Sequence, residues 1–250
     1  MKRKEAQPRN HGLVGVRPRR RTASPSSLSK RADALQSAKP YGVADAITYL
    51  ESVHPPIHAL LLELEQHARK DGVPLVSRDT GRLLSTLVHA MQANRILEIG
   101  TGYGYATLWM AFAQPPMGKI WTLDTDVERT EIALSYFQRS GEGDYITLFN
   151  QSALELLPNF GHRNLDIVFL DAQKSEYIEY LDLVVPMLKR SGLIVVDDCL
   201  LGNVAETPKK GDSKDERAIR AFNERFLSHP DLDATILALG NGIGIGARIR

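Results

Sequence analysis

Short apolar runs alternate with longer amphipathic segments through most of the chain, which is the pattern of a sheet whose strands are joined by helices. The runs that predict strands lie near residues 95–100, 119–124, 145–149, 165–171 and 192–197. Helices are predicted between them at about 104–113, 127–140, 153–157 and 175–189. The fourth and fifth runs are apolar at almost every position, as expected for strands covered on both faces. The pattern therefore predicts a doubly wound α/β sheet.

Further elements are predicted on either side of these five strands. Amphipathic helices precede the first strand at residues 57–68 and 77–91, and Ser77 is a suitable N-cap for the second. After the fifth strand come a helix at 214–228, a strand at 233–239, the turn signal Gly240-Asn241-Gly242 and a strand at 243–249. An antiparallel hairpin closing a parallel sheet is not the usual ending of a dehydrogenase.

Charge is distributed unevenly along the chain, although the formal net charge is only +1. Residues 1–40 hold eleven Lys and Arg residues but two acids. This composition predicts a disordered basic tail over residues 1–40 and a globular domain over residues 41–250. We expect the tail to be a solvated extension, with attraction to nucleic acid or a membrane surface, or a transit peptide, as alternatives.

Cys199 is the single cysteine, which excludes an intrachain disulfide and suits a reducing compartment. No apolar run approaches the roughly 18–20 residues of a membrane span. The arginines near residue 20 are not followed by the apolar segment of a signal peptide. We therefore expect a cytoplasmic protein with no membrane partner.

Three glycines follow the first predicted strand at alternate positions, namely Gly100, Gly102 and Gly104. A strand, a glycine turn and a helix form the first half of a nucleotide-binding βαβ unit, and glycine lets the backbone approach a ligand closely. A dinucleotide fingerprint needs G-x-G-x-x-G, but Tyr105 occupies the position of the third glycine. With Glu98 two residues before the first glycine, the sequence E-x-G-x-G-x-G resembles motif I of the class I S-adenosylmethionine-dependent methyltransferases.

Four carboxylates stand at the ends of predicted strands, where the chain leaves the core. Asp124 ends the second strand about 20 residues past the glycines, where an acid can bind both hydroxyls of a ribose. Asp171 ends the fourth strand, and Asp197 and Asp198 end the fifth. Neighbouring parallel strands open on one crevice, so the last three acids should converge around a hard cation such as Mg²⁺, Mn²⁺ or Ca²⁺. Ordinary solvated acids at strand ends are the alternative.

Residues from about 57 to 249 resemble the cation-dependent O-methyltransferases, the group that contains the catechol and caffeoyl-CoA O-methyltransferases. The motifs that carry the resemblance are Leu97-Glu98-Ile99-Gly100-Thr101-Gly102 with Gly104-Tyr105, Leu170-Asp171-Ala172 with Lys174 and Tyr177, Asp197-Asp198 with Gly202-Asn203-Val204, and Arg220-Ala221-Phe222-Asn223. The C-terminal hairpin is also the ending of the seven-stranded, mostly parallel, Rossmann-like methyltransferase sheet. The resemblance implies a methyltransferase domain over residues 41–250 and S-adenosylmethionine as the cofactor.

The resemblance also implies a role for each matching position. Glu98 and the glycine turn would hold the methionine part of the cofactor, Asp124 its ribose and Ser152 and Ala153 its adenine. The implied cofactor-binding set is Val76, Glu98, Gly100, Thr101, Gly102, Gly104, Ala106, Asp124, Ser152, Ala153 and Asp171. The implied cation ligands are Asp171, Asp197 and Asp198, and Lys174 with Asp171 would be catalytic.

Three positions depart from the family's pattern. Asp198 stands where the family usually has Asn, and its extra negative charge should hold a cation more tightly while making it a weaker Lewis acid. Ala106 stands where Ser is common, which leaves only the backbone N–H at the helix start to bind the cofactor's carboxylate. Gln151-Ser152-Ala153 replaces the common Gly-Asp-Ala at the expected adenine site.

The leading interpretation is methyl transfer from S-adenosylmethionine to a hydroxyl of a small catechol-like or phenolic acceptor. A divalent cation would lower the pKa of that hydroxyl, and Lys174 would take its proton if its own pKa were depressed. A tRNA hydroxyuridine O-methyltransferase, mildly favoured by the basic tail, and a non-catalytic cofactor-binding protein are the alternatives.

The resemblance also implies a homodimer. Residues 202–215 are expected to form a mobile loop beside the acceptor pocket or a surface connector.

Overall fold

A computed structural model of the chain describes residues 43–250, so the predicted basic tail over residues 1–40 lies outside the described residues. Contacts divide the chain into two units, residues 1–56 and residues 57–250. In the first unit, the described residues form helix α1 (Val43–Val53). The second unit contains the sheet, the predicted motifs and every site residue named above.

The second unit is built around one seven-stranded sheet. Its strands are β1 (Arg95–Ile99), β2 (Lys119–Asp124), β3 (Ile146–Asn150), β4 (Leu165–Leu170), β5 (Leu188–Val196), β6 (Leu232–Leu237) and β7 (Ile243–Arg248). Their spatial order is β3-β2-β1-β4-β5-β7-β6. Strands β1 to β5 pair in parallel, and β7 lies antiparallel between β5 and β6. The predicted fold class, including the C-terminal hairpin, is confirmed.

Helices connect and precede the strands. They are α2 (Ala59–Asp71), α3 (Arg78–Met91), α4 (Tyr105–Ala111), α5 (Val127–Ser140), α6 (Ala153–Leu156), α7 (Tyr177–Val184) and α8 (Lys214–Leu227). Ser77 caps α3 as predicted, since its side chain accepts the Thr80 N–H at 3.0 Å. The predicted helix at 175–189 is wrong at its end, because Pro186 enters a 3₁₀ turn at Val185–Met187 and β5 already begins at Leu188. No helix of residues 43–250 has the length and apolar character needed to cross a membrane.

The central strands are covered on both faces, and every residue of β4 is buried. Alternate side chains of β4 enter different apolar clusters: Val168 and Leu170 pack on one face of the sheet, and Ile167 and Phe169 on the other. Polar side chains therefore reach a common open space only where these strands end. That edge carries the candidate site.

Candidate active site

The glycine turn after β1 has left-handed backbone at all three glycines, with φ of +99° at Gly100, +52° at Gly102 and +81° at Gly104. A Cβ on Gly100 would lie 1.8 Å from the carbonyl oxygen of Asp171, and one on Gly104 would lie 2.4 Å from the ring of Phe137. A Cβ on Gly102 would meet nothing within 4 Å. Two of the glycines are thus required by packing within the protein, and the third leaves open space beside the turn.

A cavity of about 620 Å³ lies beside this turn, at the carboxyl ends of β1, β2 and β4. The predicted site residues that line it are Val76, Gly100, Thr101, Gly102, Ala106, Asp124, Ser152, Ala153, Asp171, Lys174 and Asp198. Glu98, Gly104 and Asp197 do not line it. Most of the residues selected from sequence are therefore brought to one cavity, although they come from six separate segments of the chain.

Glu98 is fully buried and does not line the cavity, and its contact with the cofactor stays a prediction. Its carboxyl accepts hydrogen bonds from Thr107 of α4 and, at 2.6 Å, from Thr122 of β2. Burial, with smaller contributions from Asp171 and Asp124, raises the pKa of Glu98 to about 8. The alternation of β1 turns this side chain toward the face covered by α4, so it ties β1, β2 and α4 together.

Asp124 supports the glycine turn from the end of β2. Its Oδ2 accepts the N–H of Gly102 at 2.8 Å, and its Oδ1 accepts the N–H of Asp126 at 2.9 Å. The residue is half-buried and lines the cavity. Asp124 is thus placed where an acid can both fix the turn and face a ligand's hydroxyl groups.

The acids at the ends of β4 and β5 converge on Lys174. Its ammonium lies 3.0 Å from Asp171 Oδ1, 2.7 Å from Asp198 Oδ2 and 2.7 Å from the Tyr177 hydroxyl. Asp197, the next residue along β5's end, is buried, and its Oδ1 accepts the N–H of Asp198 at 2.7 Å. Asp171 and Asp198 are thus brought together with the Lys174 ammonium between them.

Burial and crowding of like charges set the protonation of this cluster. Burial, followed by the charge of Asp171, raises the pKa of Asp197 to about 7. The pKa of Asp171 is also raised, because burial outweighs its contact with Lys174. Burial would lower the pKa of Lys174, but Tyr177, Asp171 and Asp198 outweigh burial and raise it. These contacts favour the ammonium form of Lys174, and its role as a proton acceptor stays a prediction.

The donor chemistry of the cluster fits a hard divalent cation, since Asp171, Asp197 and Asp198 offer carboxylate oxygens and Lys174 pairs with only two of them. The arrangement is that of an ion-pair cluster, because Lys174 lies between Asp171 and Asp198. Within residues 43–250, no three His, Cys, Asp or Glu side chains are grouped as ligands of a metal ion. The cation therefore stays a prediction.

Several cavity residues were missed from the sequence. They are Tyr103 and Tyr105 in the glycine turn, Arg129 on α5, and Gln173, Glu176 and Tyr180 around the start of α7. Two signals could have found them: the tyrosines follow glycines of the motif, and the others stand just after a strand that ends in a predicted site acid. Asn241, in the β6–β7 turn, was also missed as a partner of the site, and it donates to Asp198 Oδ1 at 3.0 Å.

The loop at residues 202–215 is bound to α8. Glu216 accepts the N–H of Asn203 at 2.7 Å, and Arg220 donates to the Asn203 carbonyl at 2.7 Å and to the carbonyls of Val204 and Glu206. The structure describes this loop in full, and none of its residues lines the cavity. These contacts favour the surface connector over the mobile loop beside the pocket.

Comparisons with known proteins agree with this geometry. A family model described as O-methyltransferase matches residues 51–249. The catechol O-methyltransferase of Mycobacterium tuberculosis is 35% identical over 164 residues, which cover 65% of this chain and 73% of that protein. The caffeoyl-CoA O-methyltransferase of Populus kitakamiensis is 31% identical over 214 residues, which cover 80% of this chain and 91% of that protein.

A solved structure with the same fold contains the methyl donor. The O-methyltransferase TomG from Streptomyces achromogenes, in complex with S-adenosylmethionine, has a TM-score of 0.74 and 29% identity. The match covers 81% of this chain and 95% of that one. The likeness therefore extends over almost the whole of that enzyme.

Proposed function

This chain belongs to the O-methyltransferase family, and on that premise we propose that it transfers the methyl group of S-adenosylmethionine to a hydroxyl of a small catechol-like or phenolic acceptor, assisted by a divalent cation. One observation carries the proposal. The glycine turn and the Lys174 cluster line the same cavity, and the turn touches the cluster through Gly100 and Asp171. A donor and an acceptor bound there would be neighbours.

The charge of the cavity supports a cationic methyl donor. Its lining includes five carboxylates and two basic side chains, namely Asp124, Asp126, Asp171, Glu176 and Asp198 with Arg129 and Lys174. An excess of negative charge in a partly enclosed space attracts cations. The names of the relatives, which are methyltransferases of catechol and caffeoyl-CoA, support a hydroxylated aromatic acceptor.

When bound, S-adenosylmethionine supplies an electrophilic methyl group, and a divalent cation lowers the pKa of a nearby hydroxyl. The methionine part of the donor would lie at the open side of Gly102, and Asp124 would accept hydrogen bonds from its ribose hydroxyls. Ser152 and Ala153 would contact its adenine and Val76 would contact the donor from the other side, and all three line the cavity. Together these groups would fix the donor in one orientation, which is a large part of the rate of a group transfer.

The cluster of Lys174 with its neighbouring acids would bind the acceptor hydroxyl. Asp171, Asp197 and Asp198 would hold the cation, and Lys174 would lie against the acceptor's oxygen. Because two carboxylates and a phenol oxygen hold its ammonium, Lys174 can accept a proton only after those ion pairs weaken. Until then its charge would stabilise an acceptor oxyanion whose proton has passed to solvent water.

The test is a transfer assay with methyl-labelled S-adenosylmethionine, with catechols, flavonoids and bulk tRNA as acceptors, each with Mg²⁺ or with EDTA. We expect label on a catechol or flavonoid hydroxyl, and loss of transfer in EDTA that Mg²⁺ restores. Label on tRNA alone would overturn the acceptor class. Transfer that survives EDTA would overturn the role of the cation.

A further inference from the structure

Helix α2 contributes two carboxylates that hold the glycine turn. Tyr105 donates its hydroxyl hydrogen to Glu65 at 2.5 Å, and Tyr103 donates to Asp71 at 2.9 Å. The two tyrosines are 2% and 5% exposed, respectively, and both line the cavity. Neither carboxylate lines the cavity, so any effect of Glu65 and Asp71 on a ligand must pass through the tyrosines.

The two carboxylates are themselves held in place. Arg78 donates two hydrogen bonds to the two oxygens of Glu65, at 2.9 and 2.6 Å. Burial opposes the ionisation of Glu65, but the hydrogen bonds from Arg78 and Tyr105 outweigh it, and its pKa lies below the usual value. Asp71 Oδ2 lies 3.2 Å from His67 Nε2. Glu65 is therefore a charged and oriented acceptor, and such hydrogen bonds are stronger than those between neutral groups.

The turn needs such support because of its composition. Left-handed glycines at 100, 102 and 104 give it a conformation that ordinary residues rarely adopt, but glycine also leaves a free chain many other conformations. Fixing the tyrosines that follow Gly102 and Gly104 limits that freedom before a ligand arrives. A loop that is already in its bound conformation loses less entropy on binding.

We propose that Glu65 and Asp71 are positioning residues for the methyl donor, which act by holding Tyr105 and Tyr103 and so preorganise the glycine turn. The inference rests on the proposed function, because it takes S-adenosylmethionine as the ligand of this cavity. It concerns the affinity for the donor and not the transfer step.

The first measurement is calorimetric titration of the full chain with S-adenosylhomocysteine, the product form of the donor. Glu65→Gln and Tyr105→Phe should each raise the Kd for S-adenosylhomocysteine roughly tenfold. Loss of a residue that hydrogen-bonds to the ligands of a bound metal has an effect of similar size. Asp71→Asn and Tyr103→Phe should act in the same direction. In steady-state assays the KM for S-adenosylmethionine should rise while kcat stays within about twofold.

Glu63→Gln is the matched control. Glu63 is on the same helix and makes a two-point ion pair with Arg139 of α5, but it does not touch the turn. Its Kd should equal that of the wild type. The Kd of the double variant Glu65→Gln/Tyr105→Phe should not exceed the larger of the two single-variant Kd values. The reason is that both substitutions disrupt the same hydrogen bond.

The outcomes separate the two proposals. If the wild type fails to bind S-adenosylhomocysteine, the proposed function falls and takes this inference with it. If the wild type binds and Tyr105→Phe binds equally well, the inference alone is wrong. Additive losses in the double variant would likewise contradict it. Tyr105→Phe retains the ring and its packing, so it serves even if Glu65→Gln does not fold.

Discussion

At the scale of single residues, Asp198 stands where the family resemblance implies Asn. Its backbone is left-handed, with φ of +64°, a conformation that Asp and Asn adopt more readily than most residues. Lys174 holds one of its carboxylate oxygens and Asn241 the other. Asp198 thus contributes charge to the cluster at a position where the usual Asn would be sterically equivalent.

We expect Asp198→Asn to fold normally and to weaken cation binding several-fold, because it removes a carboxylate charge from the cluster. The measurement is the Mg²⁺ concentration that gives half-maximal methyl transfer. Asp182→Asn on α7 is the control, since Asp182 makes an exposed ion pair with Arg225 outside the cavity. A half-maximal concentration unchanged in Asp198→Asn would show that Asp198 does not contribute to cation binding.

Glu98 gives the protein a pH dependence of stability with a defined sign. Its pKa is about 8 in the folded protein, against a usual value of 4.5. Between about pH 4.5 and pH 8, Glu98 is therefore protonated in the folded protein and ionised in the unfolded chain. The stabilisation is complete below about pH 4.5 and is lost as the pH rises to about 8, with a slope approaching about 1.4 kcal/mol per pH unit.

Glu98→Gln should remove this dependence, because glutamine keeps the shape and does not titrate. The free energy of unfolding, measured with urea between pH 5 and pH 9, should fall less steeply in the variant than in the wild type. Parallel curves would mean that Glu98 is ionised in the folded protein over this range.

At the scale of elements, the turn between β1 and α4 contains one glycine that is packed against the protein and one that faces open space. Gly100→Ala should destabilise the protein by several kcal/mol, because its Cβ would lie 1.8 Å from a backbone oxygen that cannot move freely. Gly102→Ala should cost only about 1–2 kcal/mol, the strain of a left-handed residue, since open space surrounds that position.

Urea unfolding of the two variants checks this pair. A further expectation separates structure from binding: Gly102→Ala should weaken S-adenosylhomocysteine binding well beyond its effect on stability, because the methyl group enters the cavity. Equal destabilisation by the two substitutions would contradict the claim that Gly100 is required for packing and that Gly102 leaves room for the ligand.

The elements themselves were largely predictable from the sequence, because strands buried on both faces and amphipathic helices leave clear periodicities. Helix α5 and strand β2 have the predicted bounds. The end of α7 was not predicted, because apolar residues continue through Pro186 into β5 and periodicity alone does not separate a buried helix from a buried strand.

The site was predictable where a motif or a strand end marks it, as at Gly102, Asp124 and Asp171. The orientation of Glu98 was not, because it depends on which face of β1 is covered by α4. The pKa of Lys174 was not predictable either, since it depends on burial and on Asp198, which comes from the end of another strand, as well as on the nearby Asp171 and Tyr177. Contacts of this kind are set by tertiary packing and leave no local signal.

At the scale of the whole molecule, the topology explains why one cavity can serve both halves of the proposed reaction. The central order β2-β1-β4-β5 brings the glycine turn, Asp124 and the β4 and β5 acids to the same edge of the sheet. Strand β7 runs antiparallel beside β5, so the turn that precedes it brings Asn241 to the same edge, next to Asp198. Segments distant in sequence are thereby joined at one site.

The same topology makes Asp171 the residue on which the account depends most. Its backbone carbonyl lies against the glycine turn, and its side chain pairs with Lys174. The most direct measurement is the single-turnover rate of methyl transfer to a catechol by Asp171→Asn at saturating S-adenosylmethionine, with Asp182→Asn as the control. We predict a loss of at least about a hundredfold for Asp171→Asn and a wild-type rate for the control. A rate for Asp171→Asn within a few-fold of the wild type would contradict the claim that the acids at the ends of β4 and β5 carry the chemistry.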